Sequence, residues 1–254
     1  MIVSNMEDKQ FIHLAEVDST NKVMKDISEN EELPSGSIVI TDLQTAGRGQ
    51  AGNSWESEAG KNLTFSMFFR PADMSANRFF AISEIVSLSV KYTLDKYISD
   101  ITVKWPNDIY YKDSKIAGIL VENTIYSRQI SQSIIGIGIN VNQKEFHSDA
   151  PNPVSMIQIS GHPFDKMAVL DDFRRIFAEQ SKRSLDLIHK EYLNAIYRKD
   201  GYHRYRDDKG VFEAVIHDID QMGYLILKRM DGTSSRYAFK EVCYLNNNQF
   251  PLCI

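Results

Sequence analysis

Ile134-Ile-Gly-Ile-Gly-Ile-Asn-Val-Asn142 is the stretch whose reading decides the architecture. The two-residue period of an extended chain sends Ile135, Ile137, Ile139 and Val141 to one face, and Ile134, Gly136, Gly138, Asn140 and Asn142 to the other. One face is an apolar wall and the other a bare floor ending in amides. Glycine inside a strand costs stability, so something is expected to lie close against that floor. A ligand would account for it, and so would a helix packed tightly on the sheet.

Working outward, Ile101 to Lys104 and Lys115 to Glu122 read as strands that join Ser133 to Val141, with short polar turns between the first two. That spacing points to antiparallel or mixed pairing rather than a run of βαβ units. Ser37 to Thr41 is a β-branched run, and Leu63, Phe65, Met67 and Phe69 alternate as a half-buried strand does. Asp18, Ser19 and Thr20 suit a helix N-cap, with Val23, Met24 and Ile27 following at helical spacing. From Asn77 to Tyr97 a wide apolar stripe (Ala81, Ile85, Leu88, Tyr92, flanked by Val86, Val90 and Leu94) predicts a helix buried on the sheet. Asp165 to Arg198 is predicted helical, and Lys199 to Lys209, dense in charge and tyrosine, is predicted to be a linker. Turns at Met222-Gly223 and Asp231-Gly232 then split the remainder into short strands of a small β-barrel. The expectation is an α+β protein: a mixed β-sheet flanked by helices over residues 1–204, then a small barrel over 205–254.

A chain of 254 residues can build one large core with a satellite unit. The net charge of -5 argues against a general nucleic-acid binder, which needs a basic footprint. Cys243 and Cys253 are the two cysteines, too few for a disulfide framework, and a reducing compartment fits. Met1 to Gln10 lacks the apolar stretch of a signal peptide, and no apolar run approaches the roughly 18 residues that span a membrane. A soluble cytoplasmic protein is expected.

Three further segments carry chemistry. In Gln44-Thr-Ala-Gly-Arg-Gly-Gln-Ala-Gly-Asn-Ser-Trp55, Gly47, Gly49 and Gly52 free the backbone to approach an anion, and Arg48 adds a charged fork. A flexible surface loop is the plain alternative. In Lys104-Trp-Pro-Asn-Asp108 the proline stops the strand. There Lys104 can neutralise phosphate, and Asn107 and Asp108 offer the hard oxygens that Mg²⁺ prefers; a simple Asx-type turn would also use these residues. Lys115 opens an apolar strand in which Gly118 marks a close approach, though a lysine at a strand entrance is commonly just solvated.

Five segments in this order, Asp18 to Asn21, Gly47 to Trp55, Lys104 to Asp108, Lys115 to Glu122 and Gly136 to Asn140, resemble the biotin–protein ligases. These show an Asp-Ser-Thr-Asn stretch, a Gly-Arg-Gly loop ending in Trp, Lys-Trp-Pro-Asn-Asp, Lys-x-Ala-Gly-Ile-Leu-Val-Glu and Gly-x-Gly-Ile-Asn. Asp231-Gly232 with Tyr237 to Val242 is similar to the family's small SH3-like domain, and the likeness runs from about residue 11 to 245, weakest between 143 and 210. The resemblance implies a class II synthetase-like catalytic domain followed by that barrel.

It also implies an enzyme that makes biotinyl-5'-AMP from biotin and ATP with Mg²⁺, then transfers biotin to a lysine of a biotin carboxyl carrier protein. Ser19, Thr20, Asn21, Gln44, Gly47, Arg48, Gly49, Gln50 and Lys115 would meet biotin, over a floor of Gly118, Gly136 and Gly138. Asn53, Trp55, Lys104, Asn107 and Asn140 would serve the nucleotide, and Asp108 the Mg²⁺ on its phosphates. Lys115, Arg48 and Lys104 would be the catalytic charges. Two departures matter. Gln50 and Asn53 stand where many relatives carry arginine, which leaves more of loop closure to Arg48 and Lys104. Relatives that also repress transcription have an N-terminal winged helix; only seventeen residues precede Asp18 here, too few for a helix-turn-helix, so DNA binding is not expected. A homodimer is compatible with the resemblance. The alternatives are a lipoate–protein ligase and a non-catalytic biotin sensor.

Overall fold

The computed structural model describes residues 2–6, 9–148, 150, 152–246 and 249–252; Cys253 lies outside them. The chain runs β1 (Ile2–Met6), β2 (Lys9–Val17), α1 (Thr20–Asn30), β3 (Ile38–Gln44), β4 (Leu63–Phe69), α2 (Phe80–Leu94), β5 (Ile101–Lys104), β6 (Asp108–Tyr111), β7 (Ser114–Tyr126) and β8 (Gln129–Ile139). It continues with α3 (Met156–Ser160), α4 (Lys166–Gln180), α5 (Leu185–Ala195), β9 (His203–Asp207), β10 (Gly210–Ile219), β11 (Leu225–Arg229), β12 (Ser234–Tyr237), β13 (Cys243–Asn246) and β14 (Gln249–Leu252). An eight-stranded sheet takes the order β1-β2-β3-β4-β8-β7-β6-β5. β2 and β3 are parallel, joined through α1, and the other neighbours are antiparallel, so the sheet is mixed. A second sheet, order β12-β11-β10-β9-β13-β14, is antiparallel throughout.

The alternation in β8 does what its residues dictate. Ile135, Ile137 and Ile139 are buried in the main core, which α2, α4 and α5 cover. Ile134 faces the other way, into a smaller cluster with Met24 of α1, Val39 and Phe68. Edge-on aromatic contacts lock the helical layer to the sheet, with the Phe65 and Phe173 ring centroids 5.3 Å apart. Among the described residues no helix is long and apolar enough to cross a membrane.

Three expectations need correcting. The stretch from Asp165 to Arg198 is two helices: α4 ends at Gln180 and α5 begins at Leu185, with Ser181 and Ser184 at the flanking cap positions. Serine competes for backbone hydrogen bonds and so favours such breaks. The segment Lys199–Lys209 is no free linker, because it contains β9, paired on both sides in the second sheet. Its charges hid the strand: Tyr205 is its one buried residue, while Arg204 and Arg206 face solvent. The turns between β5 and β7 hold a further strand, β6, that pairs with both.

The two sheets share one core. Trp105 donates from Nε1 to Gly223 O, 2.9 Å away, at the turn between β10 and β11. A Cβ on Gly223 would lie 2.5 Å from Phe80 Cδ2, and its φ of +77° also calls for glycine.

Candidate functional site

The loop Gly47–Trp55 folds back on itself over the open face of β4, β8 and β7. Trp55 N donates to Gly47 O (2.9 Å), and Gly49 N to Asn53 O (2.6 Å). A Cβ on Gly47 would sit 2.5 Å from Trp55 O, so only glycine closes the turn this tightly. Closure lays the Trp55 indole on the glycine floor. A Cβ on Gly138 would be 2.3 Å from Trp55 Cε2, and one on Gly118 3.0 Å from Trp55 Cζ3. Asn21, on α1, lies over the third glycine, where a Cβ on Gly136 would come within 2.4 Å of its Oδ1. The bare floor therefore makes room for two wall-forming side chains, which answers the choice between ligand and helix: α1 accounts for Gly136 and the loop tryptophan for Gly118 and Gly138.

A single pocket opens between these parts. Ser19, Thr20, Asn21 and Gln44 line one end, and Arg48, Gly49, Gln50, Asn53 and Trp55 form the cover. Gly118, Gly136 and Gly138 border the floor, and Asn107, Asp108 and Lys115 the far end. Gly47, Lys104 and Asn140 do not line it.

The first end is a hydrogen-bonded cluster. Gln44 Oε1 accepts from Thr20 N (2.8 Å) and Thr20 Oγ1 (3.1 Å). Ser66 Oγ lies 2.7 Å from Thr20 Oγ1 and 2.5 Å from Asn21 Oδ1. Asn21 Nδ2 donates to Glu122 Oε2 (2.6 Å), and Arg48 Nη2 stands 3.9 Å from Glu122 Oε1. Ser19 occupies the N-cap of α1 without capping it, which leaves its hydroxyl free beside the pocket. Sequence reasoning missed Ser66 and Glu122. The available signal was a polar residue at a buried strand position: Ser66 is 0% exposed and pairs with Gly136 on the floor side of β4.

The far end is charged. Lys115 Nζ is 2.6 Å from Asp108 Oδ1 and 5.7 Å from the Trp55 ring centroid. Asn107 is fastened to β7, its Nδ2 donating to Ile119 O while Ile119 N donates to Asn107 O. Lys104 lies behind this end rather than in it. Its Nζ donates to Tyr110 Oη (3.0 Å) and sits 5.2 Å from the Tyr244 ring centroid, in the second sheet. Burial pushes its ammonium down to about 8, partly opposed by the Asp108 carboxylate. Asn140 clasps the segment before α3 by donating from Nδ2 to Val154 O, 3.1 Å away. From the turn after β12, Phe239 reaches the pocket wall, another residue the sequence did not single out.

Among the described residues no group of three or more His, Cys, Asp or Glu could hold a metal by itself. Asp108 is the carboxylate that lines the pocket, enough for an ion that brings phosphate ligands with it. The arrangement offers hydroxyl and amide oxygens at one end, with Arg48 paired to Glu122 beside them, and the Lys115 cation at the other. It suits an uncharged polar ring joined to an anionic tail.

Comparison with known proteins agrees with this geometry. Residues 14–140 match the biotin/lipoate A/B protein ligase family. The bifunctional ligase/repressor BirA of Escherichia coli is 30% identical over 239 residues, covering 90% of this chain and 72% of its own. A biotin–[acetyl-CoA-carboxylase] ligase of Paracoccus denitrificans is 29% identical over 172 residues, covering 65% of this chain and 70% of its own. The fold is that of the Aquifex aeolicus biotin protein ligase solved with biotin and ATP, with a TM-score of 0.74, 24% identity and coverage of 91% of this chain and 97% of that one. The chain belongs to the biotin/lipoate A/B protein ligase family.

Proposed function

We propose that this chain is an ATP-dependent biotin–protein ligase. The observation that carries the reading is the two-ended pocket, with Thr20 and Gln44 at one end and Lys115 at the other. A biotin ring would lie against the Thr20–Gln44 end and direct its carboxylate toward Lys115, with Arg48 in the cover above. In the first step a carboxylate oxygen attacks the α-phosphorus of ATP and the bond to pyrophosphate breaks. In the second, an uncharged lysine amine of the carrier protein attacks the acyl carbon, AMP leaves, and the amine loses a proton.

Neither step needs a nucleophile from the enzyme. Its own residues work by positioning and by charge: Arg48 and Lys115 offset the repulsion between carboxylate and phosphate. The loop that carries Trp55 keeps water from the mixed anhydride. Asp108 would hold Mg²⁺ carried in on the ATP phosphates, and the ion would supply neutralisation of their charge. Lys104, held behind the pocket, contributes positive potential and supports Tyr110 rather than touching phosphate. We assign the chemistry to residues 1–204 and a supporting part to 205–254, through the Phe239 ring.

Exchange of labelled pyrophosphate into ATP tests the reading. Biotin should drive it and lipoate should not. Equal exchange with both acids, or none with either, overturns the assignment.

A further inference from the structure

Ser66 touches neither the pocket nor solvent, yet its hydroxyl stands within hydrogen-bond reach of two oxygens at once, Thr20 Oγ1 at 2.7 Å and Asn21 Oδ1 at 2.5 Å. A serine has one proton and can serve only one of them at a time. Thr20 directs its own hydroxyl proton to Gln44 Oε1, which already receives Thr20 N–H. The Asn21 amide protons offer no help, because Nδ2 is turned away to Glu122. Both hydroxyl protons are therefore consumed inside the cluster, and the oxygens of Thr20 and Asn21 share the single Ser66 proton between them. Such a cluster faces the pocket as a hydrogen-bond acceptor.

We propose that Ser66 is the positioning residue that makes this end of the pocket select a ligand bearing N–H donors, an inference that rests on the biotin reading above. When a ligand N–H donates to Thr20 Oγ1, the Ser66 proton turns fully to Asn21 Oδ1, and the oxygens of Thr20 and Asn21 each then have a donor. The cyclic urea of biotin supplies such N–H groups. The dithiolane of lipoate supplies none and would bury the acceptors unpaired, the kind of mismatch that discriminates most strongly. Without the Ser66 hydroxyl, Asn21 Oδ1 loses its donor and Asn21 loses its fixed seat over Gly136.

The test compares the full-length wild type with Ser66→Ala and Ser66→Thr, measuring biotin, desthiobiotin and lipoate binding by calorimetry and biotin- and ATP-dependence by pyrophosphate exchange. Desthiobiotin keeps the cyclic urea and lacks the ring sulfur. Ser66→Ala should weaken biotin and desthiobiotin equally, by about tenfold, as for one misdirected buried hydrogen bond. The KM for ATP and the kcat at saturating biotin should hold within about twofold. Lipoate binding should not weaken, so the preference for biotin falls, and Ser66→Thr, which keeps the hydroxyl, should restore it. If Ser66→Ala does not fold by circular dichroism, Ser66→Cys replaces it, with a weak donor and an intermediate loss expected. Unchanged biotin affinity, equal weakening of all three ligands, or a loss confined to kcat would each overturn the role of Ser66. A wild type that binds no biotin would instead sink the ligase reading itself.

Discussion

Lys115 Nζ lies 2.6 Å from Asp108 Oδ1, and the carboxylate it neutralises is almost wholly buried, at 6% side-chain exposure. The strand pairing of β6 with β7 brings the two together, since Asp108 sits opposite Gly118, three residues beyond Lys115 across a bulge in β7. Glycine at that position leaves the lysine side chain room to lie along the strand, with Lys115 Cε 3.4 Å from where a Cβ would stand. The lysine holds Asp108, and in the function proposed above it would also meet the reacting anions.

That double duty makes Lys115→Ala more than a catalytic lesion. Pyrophosphate exchange should fall on the order of 100-fold, as for one lost electrostatic stabiliser. The buried Asp108 carboxylate would also be left unpaired, lowering stability by about 1–3 kcal/mol in urea unfolding. The double variant Asp108→Asn with Lys115→Ala should regain most of the stability and none of the activity. A single variant with wild-type exchange would return Lys115 to an ordinary solvated lysine.

The glycine floor makes a graded prediction. A methyl group on Gly138 collides with the indole of Trp55 at 2.3 Å, whereas one on Gly118 meets it at 3.0 Å. Gly138→Ala should therefore displace the tryptophan, shift its fluorescence to the red and slow exchange by about tenfold or more. Gly118→Ala should stay within about threefold of wild type, because the ring need give only a few tenths of an ångström. Trp105, the second of the two tryptophans, is 2% exposed and should keep its emission unchanged. Identical spectra for the two variants would show that the indole does not rest on Gly138.

Lys104 carries a pH signature. Its ordinary value of 10.5 falls to about 8 because the folded protein buries the ammonium, so folding disfavours the charged form. Above pH 10.5 the group is neutral folded or unfolded and costs nothing; as pH falls toward 8 the unfolded chain takes up the proton first, and that stability is lost. Relative to Lys104→Met, the wild type should therefore gain stability between pH 8 and 10. At pH 7 the methionine variant should be the more stable, by about 1–3 kcal/mol. Taking the difference between the two proteins removes the titration of the buried tyrosines. Parallel stability curves would mean that Lys104 is not desolvated as described.

Much of this was legible because it is local. The alternation of Ile135, Ile137 and Ile139 gave β8 and its two faces, and the Gly47–Trp55 loop and Lys115 strand could be read as a ligand site. What was not legible depends on contacts distant in sequence. Ser66 gains meaning only from Asn21, 45 positions away, and Asn21 is oriented by Glu122, 101 positions away. Lys104 could be read only as a free charge, since nothing near it announces Tyr244, which helps bury it. Strand β9 escaped because one face of a two-sided strand is solvated, and its inward signal is Tyr205 alone.

Glu56 yields the last prediction, through the loop it anchors. It follows Trp55 directly, and its carboxylate accepts from His147 N (2.9 Å), Ser148 N (2.7 Å) and Gln143 Nε2 (3.1 Å). Burial alone would raise its pKa, but these hydrogen bonds outweigh that and hold it below the ordinary 4.5. The far end of the Gly47–Trp55 loop is thereby tied to the segment after β8. Glu56→Gln should change global stability by at most about 1 kcal/mol, because the group is part-exposed. The local effect should be larger: tryptic cleavage between Arg48 and Gly49, followed by mass spectrometry, should be faster in the variant. Biotin with ATP should slow that cut in the wild type, by drawing Arg48 and the loop N–H groups onto the anions, and slow it less in Glu56→Gln. The pH dependence follows from the lowered pKa: the contribution of Glu56 is present above pH 4.5 and lost as pH falls below it, so melting curves of the two proteins should converge in acid. Equal cutting of both proteins, with and without ligands, would show that Glu56 does not hold the loop and that the loop is no ligand-ordered cover.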